Sequence, residues 1–99
     1  MDAKGVSLMD QGKFDDAIAY FDKAILIDRN YSASWFNKGN ALHFLGRYRE
    51  SIDCYDKFLA LDPNNANAAF AWLFAGINFD KMGNHRDAIT LYKMHYLLI

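Results

Sequence analysis

The chain has one cysteine, Cys54, and one proline, Pro63, in 99 residues. A lone thiol cannot build an internal disulfide framework, and it fits a reducing, cytoplasmic setting. Charge of one sign is also missing: 11 Lys and Arg against 12 Asp and Glu leave a net charge of -1. With no basic stripe to gather phosphates, nucleic acid is not expected as a partner. No apolar run reaches the roughly 18 residues of a membrane span, so no membrane insertion is expected. Met1-Asp2-Ala3-Lys4 is acidic and polar, unlike a signal peptide.

Groups for chemistry are equally scarce. His43, His85, His95 and Cys54 fall at unrelated places, whereas a zinc site needs ligands that converge. No metal and no cofactor is expected. Gly5 and Gly12 are not part of a phosphate loop, because nothing like a Walker pattern follows them. Cys54 lacks the neighbouring signature of an activated nucleophile and reads as a structural thiol. Asp15 and Asp16 suit the first turn of a helix, where the dipole favours carboxylates, better than a general-acid pair. Asp53 and Lys57 read as a surface pair four residues apart. The chain is not expected to be an enzyme.

What is present is apolar and aromatic content, 53% and 16% respectively, enough for one small domain spanning 1–99. It is also periodic. Gly12, Gly46 and Gly83 are separated by 34 and then 37 residues. The same two steps relate Gly5, Gly39 and Gly76; Leu8, Leu42 and Phe79; Ala17, Ser51 and Ala88; Ile18, Ile52 and Ile89; and Phe21, Tyr55 and Tyr92. One offset kept across so many columns of matching chemistry defines three repeats, about 1–31, 32–65 and 66–99.

Within the second repeat, apolar positions 35, 42 and 45 and then 48, 52, 55, 58, 59 and 61 have helical spacing. Gly46 stands where a left-handed C-terminal cap wants glycine, and Pro63 closes the second helix. Small residues at Gly39 and Ala41 let the two helices of a hairpin approach closely. The spacing predicts six helices, near 2–11, 14–28, 32–45, 48–61, 66–82 and 85–98. The step of 37 leaves Ala66-Asn67-Ala68 as an insertion, expected to start the fifth helix a turn early with Asn64, Asn65 or Asn67 as its N-cap.

Period and columns resemble the tetratricopeptide repeat, whose pattern runs Trp, Leu-Gly, Tyr, then Ala, Phe and Pro. Repeat two carries Trp35, Gly39, Leu42, Ser51, Tyr55 and Pro63. Repeat one carries Gly5, Leu8, Ala17 and Phe21, with Met1 and Arg29 at the Trp and Pro positions. Repeat three carries Trp72, Gly76, Phe79, Ala88 and Tyr92, and the chain stops before its proline position. The resemblance covers nearly the whole chain. It implies an all-α, right-handed α-solenoid of three antiparallel helix-turn-helix hairpins, acting as a protein-interaction scaffold.

The resemblance also implies a concave face lined by the first helix of each hairpin. That places Asp2, Val6, Met9 and Asp10, then Ala33, Phe36, Asn37, Asn40, His43 and Phe44, then Phe70, Leu73, Phe74, Ile77, Asp80 and Lys81 on the groove. Much of this set is apolar, so a partner protein's peptide or helix is the expected ligand. Co-chaperones of this family hold acidic C-terminal tails with Lys, Asn and Arg. The matching positions here are Asp2, Val6, Asn37, Phe70 and Phe74, of which only Asn37 fits. The second expectation is self-association as a homo-oligomer, by end-to-end stacking or hairpin exchange. The run Tyr96, Leu97, Leu98 and Ile99 adds apolar area with no later segment to cover it. A fragment of a longer repeat protein is expected on the same grounds.

Overall fold

The computed structural model describes residues 3–98; the expectations at Met1, Asp2 and Ile99 fall outside them. The described residues form six helices and no strand: α1 (Ala3–Asp10), α2 (Phe14–Ile27), α3 (Ser32–Phe44), α4 (Tyr48–Leu61), α5 (Ala68–Lys81) and α6 (His85–Leu98). Consecutive helices pack on one another, giving three hairpins stacked as an α-solenoid.

Each hairpin corner is built the same way. Gly12, Gly46 and Gly83 have φ of 76°, 79° and 81°, the left-handed region that glycine enters without a Cβ penalty. At the middle corner the Gly46 N–H donates to the His43 carbonyl (3.0 Å) and the Arg47 N–H to the Leu42 carbonyl (2.9 Å). That double closure satisfies carbonyls the helix end would otherwise leave open. Lys13 to Leu8 (2.9 Å) and Asn84 to Phe79 (2.8 Å) repeat it at the other corners.

Inside a hairpin the helices meet at glycine. A Cβ placed on Gly39 would lie 2.8 Å from Cε1 of Tyr55, and one on Gly5 2.5 Å from the same atom of Phe21. The aromatic of the second helix therefore lies flat on the backbone of the first. Leu8, Ile18, Phe21, Leu42 and Cys54 form one core cluster between the first two hairpins. Tyr55, Phe58, Leu59, Ala68, Ala71 and Ala75 form a second between the last two.

The insertion does not lengthen the fifth helix by a turn. α5 begins only one position earlier, relative to Trp72, than α3 does relative to Trp35, and the connection spans 62–67 where the first spans 28–31. Asparagine chemistry is the reason. Asn65 Oδ1 accepts from the Asn67 N–H (2.8 Å), and Asn65 Nδ2 donates to Asp62 Oδ2 (2.9 Å), which holds the segment as turns rather than helix. Asn67 precedes α5 but makes no side-chain cap bond. Among the described residues no Asp53–Lys57 ion pair forms; the Lys57 ammonium sits 5.9 Å from the Trp35 ring centre.

Candidate functional site

The first helices α3 and α5 approach each other directly, which puts them on the inner side of the stack. From α1, Val6 is exposed and Met9 is half-buried against the first core cluster. From α3, Phe36, Asn37, Asn40 and His43 are half-buried and Phe44 is exposed. From α5, Leu73, Phe74 and Ile77 are half-buried and Phe70 is exposed.

The aromatic side chains are not independent. Phe70 stacks on Phe74 (6.3 Å between ring centres), Phe74 lies 5.4 Å from His43, His43 is 5.4 Å from Phe44, and Phe44 stacks on Phe14 at 5.4 Å. One row of rings thus runs from the third hairpin through the second to the first. Such offset and edge contacts hold rings in place beyond simple burial. Phe36 turns instead toward α4, 4.9 Å from Phe58 and 6.0 Å from Tyr55. Phe14 and Tyr55 belong to second helices, α2 and α4. No signal short of the structure marks Phe14 as the end of the row.

Polar groups are fixed beneath these rings. The Tyr55 hydroxyl donates to Asn40 Oδ1 at 2.6 Å. Ser51 Oγ donates to the Gly39 carbonyl (2.7 Å) and accepts from Asn78 Nδ2 (3.0 Å). Asn78 Oδ1 then faces His43 Nδ1 at 2.5 Å, so that nitrogen carries a proton and donates it. This buried chain joins all three of α3, α4 and α5. In hairpin three the Tyr92 hydroxyl donates to Asp80 Oδ2 (2.5 Å) and His85 Nδ1 lies 2.9 Å from Asp80 Oδ1. The Tyr92 bond, and after it His85, hold the Asp80 carboxyl below its usual range. Burial, then Asp80, pushes the Tyr92 phenol up to about 12.

Two histidines lie away from the ring row and make polar contacts of their own. His85 is exposed and pairs with Asp80. His95 Nδ1 donates to the Ala69 carbonyl at 2.8 Å, tying α6 to the first turn of α5. Cys54 is buried, and that burial pushes its thiol up to about 11. Among the described residues no three His, Cys, Asp or Glu side chains converge as a metal site. The arrangement brings together apolar rings, a fixed amide, an imidazole and one carboxylate.

The outer surface of α6 is the second candidate. Ile18 and Ile52 are 9% and 3% exposed, yet Ile89 in the same column is 54% exposed. Leu59 is 8% exposed and its counterpart Tyr96 is 75% exposed. Leu97 and Leu98 are exposed as well. An open apolar depression of about 500 Å³ lies there, lined by Ile89, Tyr92, Lys93, Tyr96 and Leu97.

Comparison with known proteins agrees with this architecture. The model of the tetratricopeptide repeat matches residues 3–66. An uncharacterised protein of Methanocaldococcus jannaschii is 42% identical over 61 residues, which are 62% of this chain and 71% of that one. A TPR repeat-containing protein of the same organism is 30% identical over 90 residues, 91% of this chain and 27% of that one. Superkiller protein 3 of Saccharomyces cerevisiae is 29% identical over 87 residues, 88% of this chain but only 6% of that one. Most of these relatives are therefore much longer than the stretch they share with this chain. Among solved structures, MamA superposes with a TM-score of 0.86 at 28% identity, covering 95% of this chain and 53% of that one. The second repeat domain of Spaghetti, bound to an HSP90 peptide, gives 0.91 at 19% identity over 99% of this chain and 88% of that one, a likeness of fold alone.

Proposed function

The chain belongs to the tetratricopeptide repeat family, and from that premise we propose that it is a protein-interaction module that holds an apolar peptide or helix of a partner across α3 and α5. The supporting observation is the ring row Phe70, Phe74, His43, Phe44 and Phe14, whose two most exposed members, Phe70 and Phe44, stand on the inner helices. Asn40, oriented by Tyr55, and His43, oriented by Asn78, would supply hydrogen bonds that set the register of the ligand. We assign the chain no catalysis.

Panning a random-peptide display library on the pure chain tests this. Selected peptides rich in aromatic and aliphatic residues, whose binding is lost in Phe70→Lys and Ile77→Asp but kept in Tyr96→Lys, support the groove. Peptides that bind the Phe70→Lys and Ile77→Asp variants unchanged contradict it.

A second reading has its own observation. Ile89 and Tyr96 lie uncovered where Ile52 and Leu59 are covered by the next hairpin, so α6 presents a surface for assembly. Light scattering of the chain with and without Leu97→Lys reads whether a second copy takes that surface; a chain that stays a monomer leaves it to a helix of another protein.

A further inference from the structure

The two closed seams of the stack show what the open one fits. At the first seam, Lys38 of α3 meets Asp22 of α2 at 2.7 Å, while Ala41 and Leu42 pack on Ile18 and Phe21. At the second, Ala75 stands in the column of Lys38 and packs with Tyr55 and Leu59; Asp56 occupies the column of Asp22. At the open seam the apolar columns are kept, as Ile89, Tyr92 and Tyr96, but the column of Asp22 and Asp56 holds Lys93, which lines the depression. The sign of the charge in this column is reversed at the third hairpin.

We propose that α6 docks an amphipathic helix of another protein, seated as α3 sits on α2, with a carboxylate in the place of Lys38 to meet Lys93. This rests on the reading of α6 as an assembly surface and specifies what that surface takes. Another copy of this chain does not meet the requirement. Its own first helix carries Lys4 in the column of Lys38, so stacking would bring ammonium to ammonium. Its outer side is polar as well, with Ser7 and Gln11 bonded to each other where α3 has Ala41 and Leu45. Pairing α6 with α6 about the depression would bring in a second Lys93 and no carboxylate, since none lines it. Like charges juxtaposed at an interface oppose association and select against the wrong partner.

The probe is a stapled, fluorescein-labelled peptide of residues 32–45, made with Lys38 kept, with Lys38→Ala and with Lys38→Glu, titrated onto the intact chain by anisotropy. The Lys38→Glu probe should bind about five- to tenfold tighter than the Lys38 probe, the range of an exposed ion pair against a like-charge contact. The order should invert on the Lys93→Glu chain, and Ile89→Lys with Leu97→Lys should abolish binding of every probe. If all three probes bind equally well, helices dock on α6 but Lys93 does not select them, and the proposal is wrong while the assembly reading stands. If none binds at ~1 mM, a millimolar limit being the weakest contact of note, both fail. A dimer of the unmodified chain that Ile89→Lys disperses would show a second copy in the site and overturn the proposal.

Discussion

Gly39→Ala measures how tightly the hairpins are closed. Alanine is the better helix former by about 1 kcal/mol, and at an exposed position it would stabilise α3. Here the new methyl would lie 2.8 Å from Cε1 and 2.9 Å from Cδ1 of Tyr55. Tyr55 is fully buried and its hydroxyl is bonded to Asn40 at 2.6 Å, so the ring cannot swing aside without losing both contacts. Overpacking of this kind typically costs about 1–3 kcal/mol. Subtracting the propensity gain leaves a net loss of roughly 0–2 kcal/mol, and Gly39→Leu should fall at or beyond its upper end. For a domain of this size each kcal/mol moves the melting temperature by about 4–8 °C. Urea denaturation followed by circular dichroism reads the free energy directly. Tyr55→Leu removes the ring, and in that background Gly39→Ala should lose its penalty, a coupling that a double-mutant cycle isolates. A Gly39→Ala chain more stable than the parent by the full propensity gain of about 1 kcal/mol would refute the close approach on which the hairpin rests.

Asn78→Leu should destabilise by about 1–3 kcal/mol, because Ser51 and His43 are left facing an apolar side chain; chemical denaturation unaffected by the change would contradict the buried chain. Tyr92 has its folded pKa raised from 10.0 to about 12, so its contribution is present below pH 10 and is lost as pH rises toward 12. Tyr92→Phe should therefore flatten the fall of stability across that alkaline window, as followed by thermal melts. A peptide ending Glu-Glu-Val-Asp should show no binding by calorimetry, since Phe70 and Phe74 stand where cations would be needed to compensate a desolvated carboxylate; micromolar affinity would contradict that assignment.

The repeat frame was legible because it is enforced by contact. Gly39 against Tyr55 and Gly5 against Phe21 admit no larger side chain, so the columns survive in the sequence as chemistry. The corner glycines were legible for the same reason, since φ near 80° excludes most other residues. The insertion was misplaced because periodicity carries no account of side-chain to backbone bonds, and Asn65 uses two of them to hold a turn. Half of the groove chemistry was hidden in a different way. Helical spacing assigns Phe36 and Phe44 to one face, but only the crossing of the helices decides that Phe36 turns toward Phe58 and Phe44 toward Phe14. The bond from His95 to the Ala69 carbonyl joins residues 26 apart and leaves no periodic trace.

Holding a partner on the inner face of α3 and α5 is the proposal on which the functional reading depends. Amide chemical-shift mapping of the labelled chain, titrated with a peptide selected by display, tests it most directly. The perturbed amides should cluster at Asn40, His43, Phe70, Phe74 and Ile77, with α2 and the outer side of α4 unchanged. Perturbations confined to α2 and α4, with those five amides unmoved at saturation, would contradict it.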